Sequence, residues 1–184
     1  MQAQPHPLEL FFQQIVRNSY EGKLGLHDPD LTAYVARLLC EFSQSDKLYS
    51  IRDEAGRTIQ ELDEMERAAD PVLGTAASFD AERALRKYIG DYSLFVAGMY
   101  PEATGSSRRH GRRNPSRYPS IEELIRAGKE SYFIVSQFNL FEYEQEAPLF
   151  ARLSDSFERL LLGLTLVRED LAPRKPLQFP PCVN

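Results

Sequence analysis

The chain has 184 residues, of which 42% are hydrophobic and 27% charged, the balance of a folded globular protein rather than a disordered one. A formal net charge of −5 argues against a surface built as a whole for nucleic acid, and no apolar run approaches the ~20 residues of a membrane helix. The opening MQAQPHP lacks the basic and apolar regions of a signal peptide, and two cysteines, Cys40 and Cys182, make no disulfide framework, so the expectation is a soluble cytoplasmic protein with reduced thiols.

Leu8, Phe11, Phe12, Ile15 and Val16 recur at helical spacing, Pro7 suits a first turn, and the helix should end before Gly22 and Gly25. The next start is marked by Asp28 as N-cap, Pro29 at the first position and Asp30 near the positive end of the dipole. Leu31, Tyr34, Val35, Leu38, Leu39 and Phe42 then form an apolar stripe. Residues 43–57 break that period. A lone two-stranded ribbon is marginal, so this stretch offers at most a small β-hairpin near 48–59. Thr58 and Glu61 match a capping box for a short helix anchored by Ile59, Leu62 and Met65.

The central element is the helix at about 79–100, capped by Ser78 or Asp80 and stopped by Pro101. Tyr88, Tyr92, Phe95 and Met99 form one stripe, with Leu85 and Val96 beside it. The opposite face carries the small residues Gly90, Ser93 and Ala97, close to Leu94. No charge occurs between Asp91 and Glu102, and a helix uncharged all round is a buried one. Residues 103–119 follow as a basic, mobile loop.

Ser120 and Glu123 form a second capping box and open a helix that carries Leu124, Gly128, Tyr132 and Val135. Its later part, Ser131 to Phe141, is again uncharged and reads as the second buried element. The last helix, 149–171, places Phe150, Leu153, Phe157, Leu160, Leu164, Val167 and Leu171 at alternating spacings of three and four, a heptad seam. The tail, 173–184, is proline-rich and expected to be extended, either along the domain or across to a neighbour. The expected fold is therefore all-α: a single compact bundle of five to seven helices over residues 1–172.

Three constellations invite a functional reading. Asp91 sits where the charged half of the central helix meets the uncharged half, so it must find an arginine, a tyrosine hydroxyl or backbone donors. It is either a structural anchor or a pocket group for a small polar ligand, with Tyr88, Tyr92 and Tyr132 around it. Arg108, Arg109, Arg112, Arg113 and Arg117 hold five of the chain's 22 basic residues and could grip phosphate or single-stranded nucleic acid, or simply pair with acidic faces. Glu61, Asp63, Glu64 and Glu66 have no histidine partner at ligand spacing, so no metal and no cofactor is expected. No nucleophile motif or phosphate-binding glycine loop is present. The reading leans away from an enzyme, toward a binding or assembly module. Its expected partner is itself, a homo-oligomer formed through helix 149–171 or the tail.

Overall fold

Three sequence signals start three of the helices, and packing of their apolar faces does the rest. The computed structural model describes residues 7–43, 61–72, 74, 76, 78–104 and 119–172, and the chain over them is all-α with no strand. The helices are α1 (Pro7–Arg17), α2 (Pro29–Phe42), α3 (Leu62–Ala68), α4 (Phe79–Met99), α5 (Ile121–Gln137), α6 (Ala147–Asp155) and α7 (Phe157–Leu171). A wide π turn, Asn18–Lys23, prolongs α1 beyond its α-helical end, and short 3-10 turns cover Pro101–Ala103 and Phe141–Tyr143. The Asp28 carboxylate accepts from the N–H groups of Asp30 and Leu31. Ser78 caps α4 by accepting from Ala81. Ser120 and Glu123 form the reciprocal box at α5.

The short helix α3 departs from expectation. Glu61 is extended (φ −90°, ψ 133°), and the helix begins only at Leu62. Thr58, Ile59 and the hairpin expected at 48–59 lie outside the described residues, as do the tail and the arginines of the basic loop.

Helix α4 runs through the middle, with α5 antiparallel on one side and α2, α3 and α7 on the others. Its small face makes the closest approach. A Cβ on Gly90 would stand 2.5 Å from the Tyr132 ring, and one on Gly128 would stand 2.3 Å from Phe157 and 3.0 Å from Cβ of Ser93. Two helix backbones come together there because neither carries a side chain in the way. Ile89, Gly90, Ser93, Leu94 and Ala97 are buried, while Tyr88, Tyr92 and Met99 on the aromatic stripe are only half-buried. The small face, not the aromatic one, is the centre of the core.

The last helix is two helices. Ser156 adopts φ −97° and ψ 7°, away from helical values, and separates α6 from α7. The seam survives the break: Phe150, Leu153, Phe157, Leu160, Leu164 and Val167 are all buried against the chain's own helices. Gly163 lets the Tyr20 ring lie on α7, and the Tyr20 hydroxyl donates to the Leu160 carbonyl at 2.6 Å. The seam thus packs within the bundle itself.

Candidate functional site

Asp91 is only 4% exposed. Two tyrosines donate to its Oδ1, Tyr34 from α2 by a short bond and Tyr132 from α5 at 2.7 Å. Lys87, one turn earlier on α4, holds Oδ2 at 2.6 Å. The phenol rings stand edge to face, with centroids 6.2 Å apart, and both lean on Phe150 at 5.7 and 5.8 Å. Burial raises the pKa of Tyr34 and Tyr132 well above the usual phenol value, and the Asp91 charge pushes both further the same way. The phenols therefore stay protonated and remain donors. One carboxylate ties α2, α4 and α5 together, a fully satisfied buried network that fixes the register of three helices.

A cavity of about 150 Å³ opens onto this network, lined by Asp91, Tyr34 and Lys87 themselves together with Arg37, Glu41 and Glu146. It is smaller than the roughly 300–1,000 Å³ of ordinary ligand pockets. Tyr88 and Tyr92 lie elsewhere: their rings stack on each other at 6.2 Å, and Phe42 packs on Tyr88. So of the four residues read as one site, the fold joins Asp91 and Tyr132 and sets the other two on a neighbouring face. Tyr34 and Lys87 take their places. Lys87 was readable as the residue four positions before Asp91, whereas Tyr34 was counted only as a member of an apolar stripe. Arg108, Arg109, Arg112, Arg113 and Arg117 fall outside the described residues.

A second feature lies at the far end of the same two helices, where α4 begins and α5 stops. Helix α5 ends at Gln137, and residues 138–143 turn across the start of α4. The result is a cleft of about 820 Å³ lined chiefly by Phe79, Ile134, Phe138, Leu140, Phe141 and Tyr143. Here the second half of the uncharged run 131–141, expected to be buried, comes to the surface beside Phe79: Leu140 is 67% exposed, Phe141 86% and Phe79 78%. The physical reason is twofold. Helical spacing sends Tyr132 and Val135 inward but Phe133 outward, and beyond Gln137 there is no helix to carry the stripe further.

The base of the cleft is held firmly. The Tyr143 hydroxyl donates to Asp80 Oδ1 at 2.9 Å, and that bond is the main reason its pKa is raised. The Arg83 guanidinium stacks on the Tyr143 ring at 3.9 Å and pairs with Glu146 at 2.7 Å. On this base Phe141 adopts φ +56°, and no other non-glycine residue among those described has a positive φ. The left-handed conformation costs a residue with a Cβ roughly 1–2 kcal/mol. Asp80, Glu82 and Glu142 stand among the lining residues, and no lysine or arginine does.

Among the described residues no three His, Cys, Asp or Glu side chains gather as a metal site, and no helix is long and apolar enough to cross a membrane. No protein-family model, no curated protein and no solved structure matches the chain.

Proposed function

We propose that this chain is a helical assembly module, and that copies of it associate through the apolar cleft between the start of α4 and the end of α5. The observation that carries the reading is the display of Phe79, Leu140 and Phe141 together, each more than two-thirds exposed or close to it, around one concave surface. Contiguous exposed apolar surface of this kind marks an interaction site. Backbone strain at Phe141 points the same way, since strained positions persist where the surrounding structure enforces them and they concentrate at functional sites. The acidic residues of the cleft call for a partner with basic as well as apolar groups. A second copy supplies such groups, because basic charge is concentrated in 108–117 and again at Arg174 and Lys175. In this reading Asp91 is the internal anchor that holds the helices from which the cleft is built.

Sedimentation or light scattering across the micromolar range tests the proposal. The mass should rise with concentration from 21.1 kDa toward a multiple of it. Phe141→Asp should shift that transition to at least about tenfold higher concentration, the loss expected when a buried phenyl contact is removed. A chain that stays monomeric throughout overturns the proposal.

A further inference from the structure

We infer that the segment filling the cleft is residues 174–180 of a second copy, RKPLQFP. The inference rests on the assembly reading and names its occupant.

Charge and polarity select the segment. The cleft is lined by aromatic and aliphatic side chains with Asp80, Glu82 and Glu142 among them and no cation. From Ala172 to Asn184 the chain has no aspartate or glutamate, and it places Arg174 and Lys175 just before Leu177 and Phe179. The other basic segment, 108–117, carries five arginines but no leucine, isoleucine, valine, methionine or phenylalanine to fill an apolar volume. Prolines at 173, 176, 180 and 181 bias residues 173–181 toward an extended form before binding, which lowers the entropy lost on docking. Proline-rich strands settle into aromatic-lined grooves for this reason, and Phe79, Phe138, Phe141 and Tyr143 supply the aromatic wall.

Reach decides between the chain's own cleft and a neighbour's. Helix α7 runs beside α4 toward the C-terminal end of α4: Leu164 lies at Gly98, and Arg168 pairs with Glu102 at 3.0 Å. The cleft lies at the opposite end, and the 21 residues of α4 span about 30 Å. Phe179 stands seven residues beyond Ala172, which even fully extended reach only about 25 Å. The Leu177–Phe179 pair therefore falls short of its own cleft and is free to enter another copy's. Two copies that exchange these segments reciprocally close a two-fold dimer.

Two variants, each lacking one half of the contact, provide the test. A chain without residues 173–184 keeps the cleft, and Phe141→Asp keeps the tail. Aspartate tolerates the left-handed backbone, so the second variant should fold, and circular dichroism of both checks this. The full chain should dimerise, each variant alone should be monomeric, and a one-to-one mixture should recover a heterodimer. A labelled peptide of residues 172–184 should bind the tail-less chain, bind at least about tenfold more weakly when Phe141→Asp is added, and lose affinity as salt is raised. If the full chain and the tail-less chain dimerise equally, the occupant is wrong while assembly stands. If the variants are both monomeric yet their mixture stays monomeric, the tail acts somewhere other than this cleft and the inference falls. A basic, apolar peptide of unrelated sequence that binds the cleft more tightly than the tail peptide overturns it in favour of a different partner. A monomeric full chain overturns it together with the assembly reading.

Discussion

The middle and the end of the α4–α5 pair reverse the usual placement of polar and apolar groups. In the middle, where the helices are closest, a carboxylate lies 4% exposed beneath two tyrosines and a lysine. At the end, where they part, three large apolar side chains stand in the open. The difference is one of satisfaction. Asp91 has three donors within the chain, so it stabilises the fold only while every member of the network is present. Phe141 has almost no packing within the chain and holds a strained backbone, so its value to the folded monomer is small or negative. A residue that does little for its own fold and stands in the open on a strained backbone is suited to contact something else.

The largest expected effect separates the tyrosines of the two regions. Tyr34 and Tyr132 at the anchor, and Tyr20 beneath α7, all have pKa values raised well above 10 by burial. Below pH 10 these phenols are protonated in both folded and unfolded chains and contribute no pH dependence. Above it the unfolded chain releases their protons and the folded chain does not, so stability falls as pH rises. Each contributes about 1.4 kcal/mol per pH unit, roughly 4 kcal/mol per unit for the three. Stability should therefore fall steeply above pH 10, and unfolding should release the three protons cooperatively. Absorbance at 295 nm followed alongside circular dichroism should show three of the nine tyrosines ionising only with unfolding. Tyr143, half-buried at the cleft, should titrate before it. All nine ionising together in a folded chain would break the contrast.

Next in size is Asp91→Ala. Both phenols would lose their acceptor while still buried, at about 1–3 kcal/mol each, and Lys87 would lose its ion pair; the expected total is about 3–5 kcal/mol in urea unfolding. Asp91→Asn should cost about half as much, because the amide oxygen can still accept from the tyrosines but the amide nitrogen faces Lys87. The asparagine variant should self-associate like the unaltered chain, since the anchor has no surface at the cleft. A loss below about 1 kcal/mol for Asp91→Ala would mean that the network is replaceable and that its three helices are held by apolar packing alone.

Much of the anchor was legible in the sequence and almost none of the cleft. Asp28–Pro29 and Ser120–Glu123 announce their helices because caps are local chemistry, readable over four residues. The demand on Asp91 for a tyrosine hydroxyl followed from its position on a wheel, which places a charge at the edge of a buried face. Which tyrosine answers depends on packing between helices: Tyr132 and Tyr34 donate to Asp91, while the rings of Tyr88 and Tyr92 stack on each other. The cleft was hidden because an absence of charge does not say which way side chains face. Phe133, Leu140 and Phe141 read as core until the end of α5 at Gln137 turns the run outward. The heptad seam leaves its partner open in the same way: the spacing suits either another chain or the chain's own bundle, and its residues are buried in the bundle on both sides of Ser156.

The smallest expected effect has the opposite sign to the others. Phe141→Gly removes a side chain that is 86% exposed and relieves a backbone at φ +56°, a conformation glycine adopts freely. Glycine also adds freedom to the unfolded chain, which offsets part of the gain. The net result should be a monomer about 0.5–1 kcal/mol more stable in urea unfolding, with self-association weakened at least about tenfold. The two readouts must move apart for the contrast to hold. If Phe141→Gly destabilises the chain, the phenyl ring packs in the monomer and the cleft is part of the core. If it stabilises the chain and leaves association unchanged, the strain at Phe141 has no bearing on assembly. Only greater stability together with weaker association assigns the strained phenylalanine to a contact made outside its own chain.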